Sequence, residues 1–201
     1  MPEPLSPLAA VALTWALAVL PVQAPAEYAD REFPVVGATD YVDAHHDYPA
    51  TDVFTDCGAR VVSPVNGTVL EVNRTDRWDP ATDLGRDRGG LSFSVEGVDG
   101  VRYYGSHLAR LRGGLGPGDT VASGEYLGEV GRTGSARPTP CHLHVGISPV
   151  CDGTGGGRDW VVRRGTVSPY RYLRSWESGG NMSPLPAVSR WEEQHSCPGR
   201  P

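Results

Sequence analysis

The segment "TPCHLHVGIS", Thr139 to Ser148, places His142 and His144 one residue apart in a run that otherwise alternates like a strand. On a strand, residues i and i+2 share a face, about 6.5–7 Å apart along the chain. Two imidazoles so placed reach one small site, where one can hold a metal while the other stands beside the water that the metal carries. Taken alone, the pattern is as readily explained by one histidine facing a neighbour and the other partly exposed.

A second cluster changes that balance. "DAHHDYPATD", Asp43 to Asp52, contributes His45, His46 and Asp52. Histidine with a carboxylate is a common zinc ligand set. Pro49 disfavours a helix here, so a bend can bring a histidine and Asp52 to one point. The bland alternative is a polar loop. His107 follows the strand-like run "VRYYGS", and strand ends are where loops and sites meet. Five of the six histidines thus fall in three short stretches beside predicted strand ends, and only His195 lies in a tail.

The elements that must position these residues are mostly β. "ARVVSPVNGTVLEVNR", Ala59 to Arg74, predicts a hairpin around Pro64, Asn66 and Gly67. "LSFSVEGVDGVRYYGSH", Leu91 to His107, predicts another, turning at Asp99-Gly100. Between them Arg77 to Gly90 is charged and rich in turn residues, a surface loop that either walls a groove with Trp78 or stands free. A short strand is expected over Tyr126 to Val130, and His142 to Ser148 closes the series. Beyond the Gly-rich break at Gly153 to Gly157, "SPYRYLRSWESGG" predicts a short helix with Pro169 inside its start and Gly179 at its end. A second is expected over Ala187 to His195. The sum is a mostly β fold, a compact antiparallel sheet or sandwich-like domain with short C-terminal helices.

At 201 residues the chain suits one domain with tails. A formal net charge of −6 argues against nucleic acid and anionic membranes as partners. "LAAVALTWALAVL", Leu8 to Leu20, reads as the apolar core of an export signal, and "APA", Ala24 to Ala26, as its cleavage site, although "MPEP" at the start lacks a basic residue. The expected organisation is a signal peptide over 1–26, a lead-in over 27–42, a domain over 43–150 that carries the histidine clusters and a C-terminal extension with short helices over 151–201. Four cysteines, an even number, suit two disulfides in an exported chain, and the absence of a C-x-x-C pair argues against a zinc ribbon.

In their linear order these stretches resemble the lysostaphin-type zinc metallopeptidases, which cut peptidoglycan peptides and share the duplicated hybrid motif fold. The resemblance runs from about Asp43 to Ser148. It begins with a His–spacer–Asp motif, "HHDYPATD", and a Gly-containing hairpin, "GARVVSPVNGTVLEV". A strand ending in His-Leu follows, "RYYGSHL", then the glycine series "GPGDTVASGEYLGEVGRTG" and the closing His-x-His of "HLHVGIS".

The resemblance implies roles residue by residue. His46, Asp52 and His144 are expected to bind Zn2+, with His107 and His142 as the catalytic pair beside the bound water. The first spacer is longer than the commonest family form. His46 leaves five residues before Asp52 and His45 leaves six. We take His46 as the ligand and keep His45 as the alternative. Three protein ligands leave a fourth position open for water, as in catalytic rather than structural zinc sites. Zinc lowers the pKa of bound water toward about 7 and polarises the scissile carbonyl. His107 and His142 can then take a proton, hydrogen-bond the oxyanion or protonate the leaving amine.

The function expected from this is a secreted, extracytoplasmic zinc metalloendopeptidase of peptidoglycan cross-links or stem peptides, acting as a monomer without stable membrane insertion. A non-catalytic peptidoglycan-binding or hydrolase-activating module of the same fold, and a zinc hydrolase of another substrate, remain open. For the cysteines, the shared zinc brings Asp52 and His144 together. If both segments leave the metal in the same direction, Cys57 pairs with Cys151, and Cys141 pairs with Cys197 or stays free beside the site.

Overall fold

The computed structural model describes Met1 and residues 31–197, apart from Ala38, Ala44 and residues 152–158. Apart from Met1, the expected signal peptide lies outside these residues, as does the start of the lead-in. Among the described residues nine strands form one antiparallel sheet. They are β1 (Val35–Val36), β2 (Thr51–Phe54), β3 (Arg60–Val62), β4 (Gly67–Asn73), β5 (Leu91–Gly97), β6 (Val101–Leu111), β7 (Thr120–Val121), β8 (Tyr126–Val130) and β9 (His142–Pro149). The order β1-β3-β8-β6-β5-β4-β7 runs through most of them, while β9 joins the sheet along β6 and carries β2 on its other edge.

β6 organises this sheet. One edge pairs with β5 along nearly its whole length. The other edge pairs with β9 from Val101 to Ser106 and with β8 from Leu108 to Leu111. His107 sits at the hand-over between these two partners, with φ at 68°, in the left-handed region. That conformation costs a non-glycine residue about 1–2 kcal/mol. It is held by the His107 N–H, which donates to the Gly89 carbonyl at 2.9 Å.

The alternation of β9 divides its residues between two tasks. Leu143, Val145 and Ile147 point into the core with Val53, Val101 and Leu108. His142, His144 and Gly146 occupy the opposite face, because side chains alternate along a strand. The same parity on β2 buries Thr51 and Val53 and leaves Asp52 and Phe54 on the histidine face.

The expected hairpin at Asp99-Gly100 is present as β5–β6, with Gly100 at φ 74°. The expected hairpin over residues 59–74 is not. β3 pairs with β1 and β8, whereas β4 pairs with β5 and β7. The corner between them is buried: Ser63 Oγ–H donates to the Val65 carbonyl at 2.8 Å, and Pro64 has no N–H for a ladder. The chain therefore passes from one part of the sheet to another there instead of folding back on itself.

Among the described residues three helices follow the sheet: α1 (Trp160–Arg163), α2 (Tyr170–Glu177) and α3 (Leu185–Gln194). α2 ends at Gly179, whose φ is 77°. Tyr172, Leu173 and Trp176 of α2 and Val188 of α3 are buried in the same core as the strands. No helix among the described residues is long and apolar enough to cross a membrane.

The disulfides are Cys57–Cys141 and Cys151–Cys197, which corrects the expected Cys57–Cys151 pair and the idea of a free Cys141. The reason is strand direction. β2 and β9 are antiparallel, with Asp52 opposite His144 and Phe54 opposite His142. Moving forward from Asp52 therefore means moving backward from His144. Cys57 arrives beside Cys141, with a Cα separation of 5.2 Å.

Candidate metal centre and active site

Three side chains converge on one point. Asp52 and His144 are directly opposed across β2 and β9, and Asp52 Oδ1 lies 2.8 Å from His144 Nδ1. His45, from the segment before β2, brings Nε2 to 3.9 Å from the same Oδ1. One potential ligand atom from each of the three lies within 4.8 Å of the others.

His45, not His46, belongs to this set. Residues 46–49 bend, and of the two adjacent histidines it is His45 that brings a ring nitrogen near Asp52. The bend selects His45, whose ring packs 4.3 Å from Tyr48 and 5.0 Å from His144, centroid to centroid. His46 is exposed and lies on the rim of the same cleft.

The hydrogen bonding around these groups is what a cation site requires. His144 Nε2 lies 2.9 Å from the Arg164 carbonyl, which can only accept, so Nε2 carries a hydrogen. Nδ1 then faces the Asp52 carboxylate, another acceptor. A neutral imidazole cannot satisfy both contacts, so the pair needs a cation between them or a second ring proton. A carbonyl behind the distal ring nitrogen is the usual orienting partner of a metal-ligating histidine. His45 adds a buried Nδ1 with no hydrogen-bond partner among the described residues, while its Nε2 points toward the site. Two imidazoles and one carboxylate are a zinc-type donor set, and these residues fit that ion.

Gly146 makes the Arg164 contact geometrically available. A Cβ on Gly146 would stand 2.5 Å from the Arg164 carbonyl oxygen. Only glycine lets that backbone approach β9 closely enough to reach His144.

His142 and His107 flank the cluster. His142 Nδ1 is 3.0 Å from the Pro140 carbonyl, and its Nε2 is 3.9 Å from Asp52 Oδ1. His107 Nδ1 is 2.8 Å from the Thr133 carbonyl. Each carbonyl takes the Nδ1 hydrogen and leaves Nε2 as an acceptor. The two rings lie 4.9 Å apart. Burial, reinforced by His144 and His142, pushes the His107 pKa down to about 3, which keeps its ring neutral. Burial also lowers His45. For Asp52, burial works upward, but the contact with His144 and the nearness of the His142 and His45 imidazoles outweigh it and hold the carboxyl well below its usual range.

These groups line an open cleft. The loop expected at its edge does form a wall, through Gly85, Arg86, Arg88 and Gly89. Trp78 braces the loop instead, with Nε1–H donating to Asp83 Oδ1 at 2.9 Å. His195 stacks on Trp191, apart from the cleft. Sequence reasoning missed the backbone carbonyls of Thr133, Pro140 and Arg164, which carry no residue signature. It also missed Ser106, which faces His144 across β6 and β9. Gly146 was the one available sign of a close backbone approach.

Residues 46–154, more than half of the chain, match Peptidase family M23, and the chain belongs to that family. It is 27% identical over 135 residues to the L-Ala–D-Glu endopeptidase of Bacillus subtilis (strain 168), covering 65% of this chain and 35% of that protein. The chain thus spans about a third of the length of that relative. Among solved structures, it resembles a candidate glycyl-glycine endopeptidase, lytM, of Ruminococcus gnavus, with TM-score 0.56 and 25% identity over 75% of this chain and 62% of that one. Lysostaphin, the antimicrobial peptidase of Staphylococcus simulans, shares the fold with TM-score 0.54 and 19% identity over 77% and 58% of the two chains.

Proposed function

We propose that this chain is a zinc-dependent endopeptidase that hydrolyses peptide bonds of peptidoglycan outside the cytoplasm. The observation that carries the proposal is the convergence of His45, Asp52 and His144 within 4.8 Å, with His142 and His107 beside them. Membership of a peptidase family and similarity to an L-Ala–D-Glu endopeptidase support the substrate class. Two disulfides support an oxidising, extracytoplasmic location.

In this reading His45, Asp52 and His144 would hold the zinc, which would supply Lewis acidity toward water and the scissile carbonyl. His142 has its Nδ1 hydrogen tied to Pro140, and its Nε2 faces the ligand set. It accepts a proton from the attacking water and returns it to the leaving nitrogen. His107, kept neutral by burial, orients the water through its own Nε2. Ser106 and Tyr104 close the floor of the cleft around the reacting groups. The full complement of ligands and flanking histidines favours catalysis over a binding role.

Digestion of purified sacculi by the zinc-loaded protein, followed by mass spectrometry of the fragments, tests this directly. Released fragments should carry new amino and carboxyl termini at a peptide bond, and a chelator should stop their release. Intact sacculi after prolonged incubation with zinc-loaded protein would remove the peptidase reading.

A further inference from the structure

We infer that the cleft contains a carboxylate-binding subsite built on Arg164, so that the peptide it accepts carries a free carboxylate close to the bond cut. The inference rests on the peptidase reading above and narrows its substrate. Four arginines and two aspartates line the cleft, Arg86, Arg88, Arg163 and Arg164 against Asp47 and Asp52. The whole chain is acidic, with a net charge of −6, so this basic excess is local.

Three of the four guanidiniums already have carboxylates. Arg86 lies 3.8 Å from Asp87, Arg88 is paired with Asp83, and Arg163 lies 2.8 Å from Glu71. Arg164 pairs with no acidic residue among those described, and its Nε is buried without a hydrogen-bond partner. It is nonetheless held in place. Its guanidinium carbon stands 3.9 Å from the centre of the Tyr48 ring and 5.4 Å from that of Trp160. Its carbonyl is fixed by His144 Nε2 at 2.9 Å.

Position follows from the same contacts. The Tyr48 ring that stacks on Arg164 lies 5.7 Å from the His144 ring, so the guanidinium is one aromatic ring away from the metal ligands. Trp160 is seated against the cleft wall at Gly85, where a Cβ would collide with the indole. Arg164 and Trp160 both lie beyond residue 154, where the family match ends.

An arginine oriented by aromatic stacking loses little freedom when it binds, and its planar fork matches a carboxylate with two parallel hydrogen bonds. Hydrogen bonds to a charged partner are strong enough to separate a carboxylate from a neutral carboxamide by about ten- to a hundredfold. A carboxamide presents one acceptor and two donors, and the donors meet only N–H groups on the guanidinium.

The test uses two synthetic stem peptides that are identical except that the free backbone carboxylates of one are primary carboxamides in the other. With zinc-loaded protein, kcat/KM should favour the carboxylate peptide by about tenfold or more. Arg164→Gln should bring the ratio close to one, and Arg164→Lys should fall between. Arg163→Gln, whose guanidinium is already paired, should keep the ratio. Equal turnover of both peptides by the wild type, or a preference that survives Arg164→Gln, overturns the subsite. If the wild type cuts neither peptide, digestion of sacculi decides the peptidase reading, and calorimetry on the same proteins still decides the subsite. Tighter binding of the carboxylate peptide that disappears in Arg164→Gln supports it; equal binding, or none, overturns it.

Discussion

Asp52 Oδ1 and His144 Nδ1 face each other at 2.8 Å across the antiparallel β2–β9 pair, while the far side of the His144 ring is held by the Arg164 carbonyl. Both neighbours of this imidazole are acceptors, and one neutral ring cannot serve both. The geometry therefore asks for a shared cation or a second ring proton, and His45 stands where it would complete a ligand set.

The ligand assignment separates two adjacent histidines. His45→Ala, Asp52→Ala and His144→Ala should each lose the zinc, whereas His46→Ala should retain about one ion per chain. Elemental analysis of the purified variants measures this. Zinc retained by His45→Ala and lost by His46→Ala would restore the assignment expected from the sequence.

The flanking histidines should behave differently from the ligands. His142→Ala and His107→Ala are expected to keep zinc but lose about 10² to 10⁴ in kcat, the usual contribution of general acid–base groups. Steady-state kinetics beside metal content tests both. Near-normal turnover in either variant excludes that residue from the proton transfers.

Gly146 tests the support of the metal site without touching a ligand. In Gly146→Ala the new methyl group must push the Arg164 carbonyl away from β9 and weaken its bond to His144. Loss of such an orienting contact typically costs about 10- to 100-fold in metal affinity. Competition with a chromogenic chelator reads the affinity, and circular dichroism confirms that the sheet persists. Wild-type affinity in a folded variant would show that the carbonyl contact does not tune the site.

The metal-free protein should lose stability in acid in two stages. The folded pKa values of His107 and His45 lie below the unfolded value of about 6.5. Their contribution is complete above that pH and is lost as the pH falls, for His107 down to about 3. Asp52 is also lower in the folded state than its unfolded value of about 3.9, so its contribution is lost below about pH 4. Urea unfolding in chelator across this range should show the decline. His107→Gln should reduce its slope by up to about 1.4 kcal/mol per pH unit, the value for one proton. An unchanged slope would mean that the His107 imidazole is not held neutral by the fold.

Much of this protein was legible in the order of its residues. The alternation of Leu143, Val145 and Ile147 with His142, His144 and Gly146 determined which face of β9 is core and which carries chemistry, because a strand repeats every two residues. Turn chemistry at Asp99-Gly100 and Gly179 marked one hairpin and one helix end, since those backbone conformations favour particular residues. The histidines and Asp52 pointed to a candidate metal site by type and spacing. What remained belonged to tertiary structure. Local sequence does not say whether two strands run parallel or antiparallel, and that direction sent Cys57 to Cys141 instead of Cys151. Nor does it say how a bend turns two neighbouring side chains, which is why His45 faces Asp52 and His46 does not. The buried corner at Ser63 to Val65 looked like a hairpin because its residues suit a turn, but the strands on either side gain more from other partners. The carbonyls of Arg164, Pro140 and Thr133 set the orientation of three histidines, yet every residue has a carbonyl, so only the folded chain reveals which ones do this.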